Sequence, residues 1–111
     1  MDIVYYQTNS GRYPVKKFID ELSTQDKAKV VGCLANIQQN GLHSDRVEFR
    51  QIERKLWEIK IRGSDGSYRI FYVMVDSGKD MVLLHGYKKQ SQKAPTREIE
   101  TAKKRMKEVL E

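Results

Sequence analysis

The stretch Leu56-Trp57-Glu58-Ile59-Lys60-Ile61-Arg62-Gly63-Ser64-Asp65-Gly66-Ser67-Tyr68-Arg69-Ile70-Phe71-Tyr72 decides the fold. Trp57, Ile59 and Ile61 alternate with Glu58, Lys60 and Arg62, which is the period of a strand with one buried face. Gly63 to Gly66 is turn chemistry, and Ser67 to Val75 is rich in β-branched and aromatic residues, so a second strand returns antiparallel beside the first. A turn that sets Arg62 opposite Ser67 places Lys60 opposite Arg69 on one face. On the other face Trp57, Ile59 and Ile61 then meet Tyr72, Ile70 and Tyr68, an apolar layer that helices must cover.

Working outward, Ser77-Gly78-Lys79-Asp80 reads as the next turn and Met81 to Tyr87 as the next strand. A two-residue turn at Gly78-Lys79 pairs Ser77 with Asp80, sets Gly86 over Phe71 and His85 against Tyr72, and brings Lys88 opposite Arg69. One row then reads Lys60, Arg69, Lys88. Upstream, Glu48 to Ile52 opens the meander, and residues 42–47 are polar and irregular. Ile3 to Gln7 forms a strand that stops at Asn9-Ser10-Gly11. From Pro14, the spacing of Val15, Phe18, Ile19 and Leu22 predicts a helix; a second starts at Ser23 to Asp26 and stops at Asn40-Gly41. Pro95 opens a charged helix with a narrow stripe of Ile99, Ala102, Met106, Val109 and Leu110. The order β-α-α-β-β-β-β-α predicts an α+β fold, an antiparallel sheet with an N-terminal helical hairpin and a C-terminal helix, in a single domain over residues 1–111.

Twenty-one Lys and Arg against fifteen Asp and Glu give a net charge of +6, which favours a polyanionic partner, nucleic acid foremost. The single cysteine, Cys33, excludes an internal disulfide, and no Cys/His spacing fits zinc, so a reducing cytoplasm and no metal are expected. No long apolar stretch predicts a signal peptide or a membrane span. Three cations in a row repel one another, and Glu58 and Glu53 are the only nearby acids. Anion binding accounts for the row better than a solvated face, since Arg grips phosphate bidentately and Lys adds a point charge.

The ordered set Leu56 to Arg62, Tyr68-Arg69-Ile70-Phe71-Tyr72, Leu83-Leu84-His85-Gly86-Tyr87-Lys88-Lys89-Gln90-Ser91-Gln92-Lys93-Ala94-Pro95 and Glu98 to Lys103 resembles the phage-derived HigB-like branch of the RelE/ParE toxin superfamily. The likeness is continuous over the last half of the chain; the N-terminal half agrees in layout. Tyr87 stands where the family often has Phe, and Ser91 where it has Thr. The resemblance implies a RelE-like fold and a type II toxin, a ribosome-dependent endoribonuclease that cuts messenger RNA without a metal or other cofactor. It further implies a HigA-like, DNA-binding antitoxin as partner, operator DNA being reached only through that antitoxin. In such chemistry the RNA 2′-hydroxyl attacks the adjacent phosphate, so a base, an acid and cations are needed.

Carried over residue by residue, the resemblance makes Arg69 the stabiliser of the pentavalent phosphate and Arg62 a second clamp. Lys88 and Lys89 match the basic pair after the last strand, one of them serving as general base or acid. Lys60 and Lys93 join the phosphate-binding set, and Tyr87 either stacks on a splayed base or packs inward. His85 reads as a hydrogen-bonded core histidine, His43 as exposed, and Cys33 as packing. Lys103, Lys104, Arg105 and Lys107 read as a solvated helix face, RNA contact being the other reading. Two further classes stay open: a ParE-like gyrase inhibitor and a non-catalytic module that binds RNA or the ribosome.

Overall fold

In a computed structural model, which describes residues 1–90 and 95–111, five strands form one sheet in the order β1-β5-β4-β3-β2. They are β1 Asp2–Tyr5, β2 Glu48–Glu53, β3 Leu56–Arg62, β4 Ser67–Val75 and β5 Asp80–Lys88. The helices are α1 Pro14–Asp20, α2 Thr24–Asn40 and α3 Thr96–Leu110, with a short 3-10 turn at Gly41–His43. Pro14 sits in the first turn of α1, where its missing N–H costs nothing, and Ser23 caps α2 by accepting the Asp26 N–H. The expected α+β class and element order hold.

The sheet is mixed, not antiparallel throughout. Strands β2 to β5 form the expected meander, but β1 runs parallel to β5, with Asp2 beside Asp80 and Tyr5 beside Leu83. Parallel neighbours need a long crossover, and here the helices α1 and α2 together with β2 to β4 supply it.

Both faces of the sheet are covered. Val15 and Ile19 of α1 and Val30, Cys33, Leu34 and Ile37 of α2 pack on Ile59, Ile61, Tyr68, Ile70, Tyr72, Met81 and Leu83. On the opposite face Leu56, Phe71, Val73, Val82 and Leu84 lie under α3, which buries Ala102 among them. Cys33 is therefore a packing residue, buried and free.

Asp26 ties the first face together. Its buried carboxylate accepts the Ser64 N–H at 2.7 Å, the Asp65 N–H at 2.9 Å and the Tyr68 hydroxyl, so the β3–β4 turn is fixed to the start of α2. A side chain at Gly63 would sit 2.6 Å from that carboxyl carbon, which explains a glycine there. The Tyr68 hydroxyl and the two backbone donors hold the Asp26 pKa below the usual carboxylate value, against the opposing effect of burial.

The β3–β4 register is the one expected: Lys60 opposes Arg69 and Arg62 opposes Ser67. The β4–β5 register is not. Val75 pairs with Asp80, so the loop holds Asp76 to Lys79, with Asp76 and Ser77 in the left-handed region at φ 53° and 55°. A bulge next to Phe71 and Tyr72 then shifts the pairing again, opposing Phe71 to His85, Ile70 to Gly86 and Arg69 to Tyr87. Because the side-chain period is two, this displacement moves Lys88 off the Arg69 face and His85 onto it. Gly86 in turn faces Phe18 of α1, whose ring would lie 2.6 Å from any Cβ there.

Candidate nucleic-acid interface

Arg69 projects from near the start of β4 onto the α3 face, between Lys60 of β3 and Tyr87 of β5. It is only 7% exposed, and Glu58, which projects from β3 onto the same face, is 3% exposed. Arg69 Nε lies 3.7 Å from Glu58 Oε1, and Arg50 Nε approaches the same oxygen at 3.9 Å from β2. One Arg69 Nη donates to the Tyr68 carbonyl at 3.5 Å. The guanidinium is thereby held in place rather than waving in solvent, which is the condition for a preorganised anion contact. Lys60 pairs with the exposed Glu48 at 3.4 Å.

The cations are thus interleaved with acids, contrary to the expectation that nearby carboxylates do not account for the row. The row itself is Lys60, Arg69, Tyr87. Lys88 lies on the other face, its chain across Gly66, where a Cβ would meet Lys88 Cε at 2.5 Å, and its charge helps lower the Asp26 pKa. Lys89 does reach the Arg69 side. Its N–H donates to the Ser67 carbonyl at 2.8 Å, and it lines a 100 Å³ cleft with Arg50, Glu58, Arg69, Phe71 and Tyr87. A second, polar cleft of 320 Å³ opens on the other side of Arg69 and takes in Lys60, Arg62 and Ser67. Arg69 therefore stands where the two clefts meet, while Lys93 falls outside the described residues.

The chain matches, over residues 17–107, the family model described as phage-derived protein Gp49-like. It belongs to the Gp49-like family. That family is toxin-like and related to RelE and ParE. No curated protein matches the chain.

In this Gp49-like chain Tyr87 packs inward, the second of its two expected readings. Its ring stacks on Phe71 at 5.6 Å and 22°, and it still lines the smaller cleft. Burial, then the Glu58 charge, raises the Tyr87 hydroxyl pKa, so the phenol stays protonated near neutrality. His85 stacks on the same Phe71 ring and is fixed at both nitrogens: Arg105 donates to Nδ1 at 3.2 Å, leaving Nε2–H to donate to Glu98 at 3.2 Å. Burial lowers its pKa. It is the hydrogen-bonded histidine the sequence suggests, and it joins α3 to the sheet. Arg105 also donates to the Leu84 carbonyl at 3.0 Å and lies over the Tyr6 ring, so this member of the charged helix faces inward.

Glu58 and Arg50 are the site residues that sequence reasoning passed over. Glu58 was legible as an even-numbered partner of Lys60 on the Arg69 face; what the pattern did not signal is its burial. Together the residues offer a fixed guanidinium, a buried carboxylate, a phenol and a lysine around one point, a set suited to holding a phosphate and moving protons beside it. Among the described residues no three His, Cys, Asp or Glu side chains gather as metal ligands, and no helix is long and apolar enough to cross a membrane.

Proposed function

We propose that this Gp49-like chain is the HigB-like toxin of a type II toxin–antitoxin pair, a cytoplasmic endoribonuclease that cuts messenger RNA on the ribosome. The observation that carries this reading is the position of Arg69, immobilised by Glu58 at the junction of two clefts that also present Tyr87 and Lys89. A phosphodiester seated at Arg69 would have its non-bridging oxygens against the guanidinium, where negative charge grows as the fifth bond forms. The 2′-hydroxyl of the RNA gives up its proton to the Glu58 carboxylate and attacks the phosphorus. The bond to the 5′-oxygen breaks, and that oxygen takes a proton from Tyr87 or Lys89. The products are a 2′,3′-cyclic phosphate and a 5′-hydroxyl end. Lys60 and Arg62 hold the neighbouring backbone, a role also assigned to Lys93.

The partner that silences the toxin is a HigA-like, DNA-binding antitoxin, acidic where it covers this face, since masking the cations and blocking the substrate are then one event. Operator DNA is reached only through it. Primer extension on a defined message translated in vitro, with and without ribosomes, tests the assignment against Arg69→Ala protein of unchanged circular dichroism. Cuts that need ribosomes and vanish in the variant are expected. Undiminished cutting by the variant removes Arg69 from the site. Intact message in every lane, with trapped DNA breaks, moves the chain to the ParE-like class of gyrase inhibitors; intact message with salt-sensitive RNA binding makes it a binding module.

A further inference from the structure

The sheet ends in two edge strands, β1 and β2, and they are not equally protected. The β2 edge carries Glu48, Arg50 and Glu53 and shifts its register between Gln51 and Glu53, charges and a bulge that hinder the addition of another strand. The β1 edge, Asp2–Tyr5, pairs with β5 without a break and holds neither proline nor lysine; its one charge, Asp2, stands at the start. Its outer side is chemically open. Asp2 N–H donates to the Lys79 carbonyl and Tyr6 N–H to the Leu83 carbonyl, so residues 2, 4 and 6 turn their backbone groups toward β5. Ile3 and Tyr5 therefore turn theirs away from the sheet, and among the described residues no hydrogen bond meets them on that side.

An apolar cleft lies beside the same edge. It measures 510 Å³ and is framed by Val4, Tyr6, Val82 of β5 and Val109 of α3. Val4 is 42% exposed, and Leu110, next to Val109, is 43% exposed. The rim of the cleft is acidic: Glu111 lines it together with Glu108, which accepts the Tyr6 hydroxyl. On a chain of net charge +6, an open strand edge, exposed valine and leucine and two carboxylates meet at one place.

We propose that β1 is a docking edge for an extended segment of another protein, which adds as a sixth strand, sets alternate apolar side chains into the cleft and meets Glu108 and Glu111 with lysine or arginine. Main-chain hydrogen bonds to Ile3 and Tyr5 supply affinity in such a union, and the cleft supplies specificity. A second copy of this chain is the wrong occupant, because joining two β1 edges brings their acidic rims together and adds one +6 chain to another. The edge also asks for the opposite charge to the segment that would mask the cations around Arg69. It stands independently of the nuclease reading.

The probe is the acetylated, amidated peptide Lys-Thr-Val-Thr-Val-Thr-Lys, titrated into the purified full chain and followed by amide chemical shifts and hydrogen exchange. Saturable binding is expected, with shifts at Val4, Tyr6, Val82 and Val109 and slowed exchange of the Ile3 and Tyr5 amides. Val4→Lys changes an exposed side chain and puts a cation on the edge, so it should weaken binding about tenfold; Glu111→Lys should weaken it about threefold. The peptide methylated at two adjacent central amides, which point to opposite edges of a strand, should not bind the wild type, a comparison that needs no variant to fold. Absence of saturable binding, equal binding of the methylated peptide, unchanged exchange at Ile3 and Tyr5, or shifts gathered around Arg69 each overturns the docking edge. Val4 lies outside both Arg69 clefts, so Val4→Lys should cut messenger RNA as the wild type does. Peptide binding without cleavage by either protein retains the edge and removes the nuclease, whereas cleavage without peptide binding does the reverse.

Discussion

Arg69 Nε stands 3.7 Å from Glu58 Oε1, and both side chains are more than nine-tenths buried. The pair is not symmetrical in its surroundings. Glu58 has a second cation, Arg50, at 3.9 Å, whereas Glu58 is the one carboxylate within 4 Å of Arg69 among the described residues. Removing Glu58 leaves a buried cation without a counter-charge; removing Arg69 leaves a carboxylate that Arg50 still neutralises. Since breaking a buried pair from the exposed-penalty side costs about 3–5 kcal/mol, Glu58→Gln should destabilise by about 3 kcal/mol and Arg69→Gln by about 1 kcal/mol. Urea unfolding measures both, and equal or reversed losses would show that the pair is not what holds Arg69.

Asp26 makes stability depend on acid. Its folded pKa is depressed, first by the Tyr68 hydroxyl and then by the Asp65 and Ser64 N–H groups. The contribution is therefore complete above the unfolded value, near 3.9, and is lost as pH falls from there through the folded value. Asp26→Asn should unfold more easily than the wild type at pH 7, and the gap should close below about pH 4. A gap that stays constant down to pH 2 contradicts the linkage.

How much of this was readable from the chain alone follows from the same residues. The β3–β4 register was legible because β3 alternates cleanly and its turn has Gly63 and Gly66 at the ends. The β4–β5 register was not, because Ile70 to Val75 and Met81 to Leu84 are apolar on both faces, so a bulge leaves no mark in their pattern. The loop compounded this, since Asp76 and Ser77 take positive φ where glycine was the expected occupant. One misplaced residue carried Lys88 to the wrong face. The parallel pairing of β1 was equally silent, as a four-residue edge strand carries no signal of direction. Burial of Glu58 depends on α3 and β2 closing over it, which no local pattern encodes.

His85 is set by opposing neighbours. Burial lowers its pKa most, Glu98 raises it and Arg105 lowers it. Histidine NMR titration should therefore give a midpoint below 6.5 in the wild type, lower still in Glu98→Gln and higher in Arg105→Met. Because the folded pKa is depressed, the neutral ring is the stable form, and stability falls as pH drops below the unfolded value toward the folded one. A wild-type midpoint above 6.5 would mean that Glu98 outweighs burial.

Gly86 tests the bulge. A Cβ at this position meets the Phe18 ring at 2.6 Å, and that ring is held edge-on against Tyr68 at 6.2 Å. Gly86→Ala should cost about 1–3 kcal/mol through overpacking, and the penalty should shrink in a Phe18→Leu background. Strict additivity of the two changes would place Gly86 away from Phe18 and undo the register.

The division of Lys88 from Lys89 separates the register seen here from a continuous basic row. Lys88 lies exposed on the face of the sheet that carries Asp26, while Lys89 lines the cleft with Arg69 and Glu58. If Lys89 supplies a proton or holds the phosphate, Lys89→Ala should lower ribosome-dependent cleavage by about a hundredfold. Lys88→Ala should change it by no more than about threefold, because an exposed charge across the sheet is screened by solvent and salt. The stability readout runs the other way: Lys88→Ala removes one of the groups that depress the Asp26 pKa, so its acid unfolding midpoint should move up, and that of Lys89→Ala should not. Loss of cleavage in Lys88→Ala, with Lys89→Ala unaffected, would restore the Lys60, Arg69, Lys88 row and require β5 to pair one residue out of the register described.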